Sequence, residues 1–439
     1  MSAVDDGDRV VVVGGGWAGL AAACELAARG VPVTLIEAAQ HVGGRARTIE
    51  LDGRSVDNGQ HLLLGACTST LKLLATIGVR ESDALLRLPL DLSLRRLDGG
   101  ETIEMSSLYL PAPWHLLAGL LGMRGITLGE RLKAISGLPS MLRETPDEQE
   151  TVDGWLRRHG QSPDLIEGLW EPLCLSILNT PGTRASAGLF VTTLQESFMG
   201  SREHSDLLVP KVDLGRLLPQ PASRFIETTG GDIRLGTRVT HLRADDNRVT
   251  GLHLADDTEL PAPRVILATP PWITAQLLAE HPQTAAIAQD LAALAYEPIC
   301  TVYIQYPESV KLGAPLVGVL DATSQWVFDR SYTGHPGLMA VVISGGGPHM
   351  DLDNRMLIGE VQAELRRLFP HWPEPLGGWA VREKRATFRA APGCETLRPA
   401  HATALTGLWL AGDYTRTGLP ATLEGAIRSG IQAAQTANA

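Results

Sequence analysis

Three glycines near the start of the chain, Gly14, Gly16 and Gly19, stand in G-x-G-x-x-G register directly after the valine run Val10 to Val13. That spacing suits a pyrophosphate. Gly14 permits a tight turn, Gly16 lets phosphate approach the backbone, and Gly19 lets the following helix pack close to the strand. From Trp17 the pattern turns helical, with Leu20, Cys24 and Ala27 on one face and Gly30 placed to cap the end. A helix that starts at Trp17 and Ala18 offers free N–H groups and a partial positive charge to a phosphate. A second strand, Val33 to Ile36, ends in Glu37, 21 positions after Gly16. There an acid accepts hydrogen bonds from ribose hydroxyls and disfavours a 2′-phosphate. Strand, glycines, helix, strand and acid in one unit of about thirty residues specify dinucleotide binding.

Gly43-Gly44-Arg45 follows the second strand: two glycines able to curl against phosphate, and a cation able to bind it bidentately. At the other end of the chain, Ala411-Gly412-Asp413 precedes a helical pattern from Thr422 to Gly430. The first stretch resembles the GGR motif of the flavin amine oxidase and phytoene desaturase superfamily, and the second resembles that superfamily's second FAD motif. The resemblance implies that FAD is the cofactor, and Glu37 already argues against NADP. It also implies that Asp413 bonds the ribityl or pyrophosphate part, and that the helix beginning at Thr422 turns its N-terminus toward the isoalloxazine carbonyl edge. A chain that grips one long cofactor from both ends must fold back on itself.

The elements that would position these groups are spread through 439 residues, which exceeds one compact core. The expected fold class is α/β: an FAD-binding Rossmann-type domain, with a parallel sheet and a β-meander, plus a mixed α+β substrate domain formed by insertions. The cofactor domain is expected from residues 1–62, 208–275 and 395–439, and the substrate domain from 63–207 and 276–394. After Gly59 the pattern is mostly helical to about Asp206. Ser223 to Thr240 then reads as helix, Gly230-Gly231 turn and strand, and Arg248 to Ala255 and Val265 to Ala268 as strands. Turns at Asp245 to Asn247 and Asp256 to Thr258 mark the meander. Val239 stands there either beside the adenine or as an ordinary sheet-core valine. Thr301 to Tyr306 and Gly337 to Ser344 are strand-like.

Composition narrows the partners. A net charge of −11 argues against nucleic acid as partner and against broad electrostatic attraction to anionic lipid. Five widely spaced cysteines without C-x-x-C indicate neither a metal site nor a disulfide framework. The acidic start shows no apolar leader, so the expected location is cytoplasmic. Leu108 to Met123 runs sixteen residues without a formal charge, too short to span a bilayer. It reads either as a buried helix or as a peripheral patch on the inner face of the cytoplasmic membrane.

Four further segments make the resemblance specific: Asp57-Asn58-Gly59-Gln60-His61; Trp170-Glu171-Pro172-Leu173-Cys174 with Leu178-Asn179-Thr180-Pro181; Glu383 to Phe388; and Gly418-Leu419-Pro420-Ala421-Thr422. Together they are similar to the squalene-associated FAD-dependent desaturases, the hydroxysqualene dehydroxylase group of squalene and hopanoid synthesis. The likeness covers nearly the whole chain. Cys67, where an aromatic is expected, and Tyr414, where tryptophan is common, depart from it. The group's reaction is reductive loss of hydroxyl from an allylic C30 alcohol, with reduced FAD supplying hydride. This implies a long-chain isoprenoid substrate and an unidentified electron donor.

A proton must reach the leaving oxygen. His61 and Asp57 lead as candidates, with Gln60 and His61 beside the cofactor; the alternative for the pair is a turn and a satisfied structural histidine. Glu171 is the next candidate, a carboxyl in apolar surroundings, or else a capping or surface glutamate. Lys384 and Arg385 either orient the flavin and offset its charge or form a solvated pair. Three other activities remain open: a carotenoid or phytoene-type desaturase, which moves hydride the other way; an amine oxidase, for which 5% aromatic content is lean; and a non-catalytic isoprenoid-binding protein.

Overall fold

The computed structural model describes residues 9 to 438; residues 1 to 8, on which the expectation about a leader rests, lie outside the described residues. Five short strands form one parallel sheet in the order Asp232–Arg234, Val33–Ile36, Val10–Val13, Val265–Leu267, Leu408–Leu410. They come from three distant stretches of the chain. Val10 to Val13 are all buried, as suits a strand covered on both faces. Helix Trp17–Ala28 packs against helix Leu423–Ala437 and helix Pro219–Thr228. The first contact is backbone-close: a Cβ on Gly430 would lie 2.1 Å from the Ala18 carbonyl oxygen.

The meander is present as the antiparallel strands Val239–Asp245, Arg248–Leu254 and Glu259–Pro261. Asp246 and Asp257 turn its corners in the left-handed region.

A second sheet of seven strands runs in the order Gly377–Phe388, Tyr296–Gln305, Leu338–Ser344, Trp326–Asp329, Leu316–Leu320, Asp91–Arg96, Ile103–Ser106. Helix Asn354–Leu368 backs it. The last two strands stand within the stretch from Gly59 to about Asp206, which is mostly helical as expected but not wholly so. Leu90, Leu92 and Leu94 alternate with Asp91, Ser93 and Arg95, a period of two. Leucine, a good helix former, disguised that alternation. Apart from the short strands Leu63–Leu64 and Leu85–Leu88, the regular elements in the rest of this insertion are helices, including Trp114–Leu121, Leu128–Met141, Glu171–Leu178 and Ala187–Phe198. Among the described residues no helix is long and apolar enough to cross a membrane.

Candidate cofactor and active site

Parallel strands deliver their loops to one edge, the crevice outside the carboxyl ends. Val10–Val13 leads into Gly14 to Gly16, Val33–Ile36 into Glu37, Val265–Leu267 into Ala268 to Trp272, and Leu408–Leu410 into Ala411 to Asp413. The sheet itself thus gathers both ends of the chain.

The glycines differ in what they make room for. A Cβ on Gly19 would lie 1.8 Å from the Gly14 carbonyl oxygen, so this glycine is where helix and turn touch. Gly14 has φ +111°, and a Cβ there would meet the Ala268 carbonyl at 2.6 Å. Gly16 is free of such crowding, with only the Gly44 Cα near its Cβ direction, at 3.9 Å. It leaves backbone open to a ligand. The Gly43 N–H donates to the Gly15 carbonyl at 2.7 Å, which draws the second glycine loop against the first.

Glu37 braces the same turn: the Gly15 N–H donates to its Oε2 at 2.6 Å and the Ala39 N–H to its Oε1 at 2.8 Å. The Trp17 side chain points into the core, its indole N–H donating to the Ala46 carbonyl at 2.8 Å. Trp17 and Ala18 therefore present backbone rather than side chain at the helix start.

Arg45 joins the two ends. Its Nη2 donates to both Asp413 carboxylate oxygens at 2.8 Å, and its Nη1 to the Ala386 carbonyl at 2.6 Å. Gly412 has φ +152°, with the ring of Tyr414 packed where a Cβ would go. Thr422 caps helix Leu423–Ala437, its hydroxyl accepting from the Gly425 N–H at 3.0 Å.

The Asp57 to His61 segment splits in function. Asp57 is buried and saturated: Arg330 Nη2 donates to Oδ2 at 2.9 Å, while the Leu214 N–H and Thr48 hydroxyl donate to Oδ1 at 2.9 and 3.1 Å. Burial pushes its carboxyl pKa up, with Arg330 pulling the other way. Gln60 belongs to the same network, accepting from Arg330 at 2.6 Å and donating to the Tyr303 hydroxyl at 2.7 Å. His61 stands apart from it. Its Nδ1 is buried without a partner, and burial, reinforced by the Arg45 charge, lowers its pKa to about 4. At neutral pH His61 is therefore held as the uncharged imidazole.

Two candidates lie elsewhere. Glu171 opens helix Glu171–Leu178 and accepts from the Gly182 N–H at 2.9 Å; burial raises its pKa. Val239 pairs with Leu254 at the root of the meander. No hydrogen bond, ion pair or ring contact ties either to Arg45, His61 or Asp413 among the described residues.

The family-like motifs acquire physical roles. Asn179, at φ +49°, donates to the Pro298 carbonyl at 3.2 Å and Thr387 Oγ1 at 3.0 Å, and accepts from the Gly345 N–H at 2.7 Å. It stitches the helical insertion to the second sheet. In the Glu383 to Phe388 run, Lys384 and Arg385 are both exposed, and Arg385 lies over the rings of Trp272 and Tyr296.

The sequence reading missed Trp272, Tyr296 and Arg330. Only Trp272 carried a signal, since it follows the carboxyl end of a parallel strand.

Three buried polar atoms around this crevice have no partner: His61 Nδ1, Arg47 Nε and the Tyr296 hydroxyl. Buried polar groups are rarely left so. Unfilled donors and acceptors, open backbone at Gly16, and a cation at Arg45 that is about one-third exposed despite its partner fit a polar, phosphate-bearing cofactor such as a flavin dinucleotide.

Comparison with known proteins agrees. Residues 17 to 438 match the family described as flavin containing amine oxidoreductase. The chain is 30% identical to a hydroxysqualene dehydroxylase of Rhodopseudomonas palustris, covering 97% of both chains. It is 25% identical to a 15-cis-phytoene desaturase of Solanum lycopersicum, covering 97% of this chain and 77% of that one. Its fold matches the crystal structure of an oxidoreductase from Methanosarcina mazei with a TM-score of 0.74 at 16% identity, over 98% of this chain and all of that one.

Proposed function

The chain belongs to the flavin containing amine oxidoreductase family and, within it, to the hydroxysqualene dehydroxylases, and from that premise we propose that it removes the hydroxyl of hydroxysqualene to form squalene, using FAD. The observation that carries this reading is the full-length identity to a hydroxysqualene dehydroxylase, combined with a crevice whose unpartnered groups suit a flavin. When bound and reduced, the flavin supplies the hydride that replaces the hydroxyl.

The residues divide the remaining work. The turn from Gly14 to Gly19, with Ala18 at the helix start, takes the pyrophosphate, and Glu37 accepts from ribose while bracing that turn. Gly43, Gly44, Arg45 and Asp413 close the crevice from the opposite end. The capped helix after Thr422 offers its positive end to the carbonyl edge of the ring system. His61, uncharged, would offer hydrogen bonds to the ring system, whereas Asp57 and Gln60 brace the loop before it through Arg330 and Tyr303. Glu171 serves the helical insertion.

A substrate this apolar is drawn from lipid, and the chain has a surface for it. Leu108, Tyr109 and Trp114 are 53%, 87% and 63% exposed, and Leu121, Leu128 and Leu132 are exposed as well. Four cations and one carboxylate lie between Ser106 and Arg143, against the negative balance of the whole chain. Exposed leucines with interfacial tryptophan and tyrosine beside basic residues fit peripheral contact with an anionic membrane. The electron donor is a separate partner, which no residue described above identifies.

The reading is tested by offering the reduced protein, without oxygen, a panel of C30 alcohols and C40 polyenes and identifying the products. Squalene from hydroxysqualene supports it. Dehydrogenation of a polyene by the oxidised protein, with hydroxysqualene untouched, would instead establish the desaturase reading that the more distant phytoene desaturase resemblance represents.

A further inference from the structure

Tyr296 opens the strand Tyr296–Gln305, where the second sheet meets the crevice. Its ring meets Trp272 edge to face, with centroids 5.3 Å apart and planes at 84°. The Arg385 guanidinium lies 4.7 Å from the Trp272 ring centroid and 5.7 Å from that of Tyr296. These rings are its side-chain partners among the described residues, with no carboxylate paired to it. The next residue, Ala386, gives its carbonyl to Arg45, which places the trio beside the Arg45–Asp413 pair. Burial raises the Tyr296 pKa, with Arg385 and Arg45 pulling it down and Asp413 pushing it up, so the hydroxyl keeps its proton at neutral pH. That hydroxyl is buried and has no hydrogen-bond partner.

An unpartnered phenol next to a cation without a counter-ion is an acid whose conjugate base already has its stabilising charge in place. His61 is poorly suited to this role: burial lowers its pKa to about 4, so at neutral pH it lacks the acidic imidazolium proton. Asp57 cannot fill it, because its carboxylate is occupied by Arg330, Leu214 and Thr48. Glu171 lies in the helical insertion.

We propose that Tyr296 donates the proton to the departing hydroxyl, with Arg385 holding the resulting phenolate and Trp272 fixing both side chains. This rests on the dehydroxylase reading. In the step, the allylic C–O bond breaks and a C–H bond forms at the same carbon. Both electrons of the new bond come with hydride from the reduced flavin, which is oxidised. The oxygen takes the Tyr296 proton and leaves as water, and the phenolate regains a proton from solvent.

The test compares the wild-type protein with Tyr296→Phe, both loaded with FAD. In the oxidised, unreactive state, the wild type binds hydroxysqualene more tightly than squalene, and Tyr296→Phe loses that preference. In single turnover after anaerobic reduction, Tyr296→Phe slows flavin reoxidation by hydroxysqualene about 100-fold or more, the scale of general acid catalysis. The acetate ester of hydroxysqualene, whose leaving group departs without a proton, closes most of that gap. Equal loss on alcohol and ester, or a variant within about threefold of wild type, the spread that context gives such measurements, overturns the assignment to Tyr296. Failure of the wild type itself with hydroxysqualene overturns the underlying reading, and the proposal with it.

Discussion

Arg45 and Asp413 are 368 positions apart in the chain, yet one guanidinium nitrogen reaches both carboxylate oxygens at 2.8 Å. The contact closes the cofactor crevice from both ends at once. Hydrogen bonds to charged groups contribute about 1.5–3 kcal/mol, so Asp413→Asn should weaken FAD binding roughly 10- to 100-fold. Arg45→Ala should do the same, and the double variant should lose less than the sum, because the residues act as one unit. The ratio of flavin to protein after dialysis, and FAD titration of the stripped protein, measure this.

The three glycines of the first turn should fail in different ways. Gly16→Ala leaves the fold standing, since its Cβ would meet little, but closes the approach to phosphate; a colourless protein with a nearly unchanged melting temperature is expected. Gly19→Ala drives a methyl into the Gly14 carbonyl, 1.8 Å away, and should cost the fold as well as the flavin. Circular dichroism melting beside flavin absorbance separates the two cases.

His61 makes a prediction about pH. Its pKa in the folded chain lies near 4, below the ordinary 6.5. On acidification the unfolded chain takes up a proton that the folded chain refuses. The stability tied to His61 is therefore intact above pH 6.5 and is lost as pH falls toward 4. His61→Asn should show a shallower loss of melting temperature over that interval. Turnover should also be level through about pH 6 to 8, whereas a His61 imidazolium donor would make the rate fall about tenfold per pH unit.

Much of this site was legible because phosphate chemistry imposes spacing on glycines, and parallel strands impose a common edge. Gly14 to Gly19 could be read from spacing alone, and Gly43 to Arg45 and Ala411 to Asp413 from their resemblance to known flavin motifs. The strand Asp91–Arg96 could have been read from its alternation, had leucine not suggested helix. Arg330 could not be read at all. A lone arginine in Trp326 to Tyr332 gives no hint that Asp57, Gln60 and Asp213 converge on it from two other segments. Tyr296 was hidden for the same reason: its meaning comes from Trp272 and Arg385, which only the tertiary fold brings near.

The exposed apolar stretch should bind vesicles rich in phosphatidylglycerol and bind neutral phosphatidylcholine vesicles less well, with salt weakening the former. Replacing Trp114 and Leu121 by serine should reduce the sedimented fraction by about tenfold or more, since each large apolar side chain contributes about 1.5–3 kcal/mol when fully buried. FAD content should not change. Equal sedimentation of variant and wild type would locate membrane contact elsewhere.

The central claim is tested most directly by stopped-flow mixing of the anaerobically reduced, FAD-loaded protein with hydroxysqualene, following flavin absorbance and extracting the product. Recovery of the oxidised flavin spectrum at a rate that rises with hydroxysqualene, with one squalene formed per flavin, is the expected result. A flavin that stays reduced, with hydroxysqualene recovered unchanged, would contradict it.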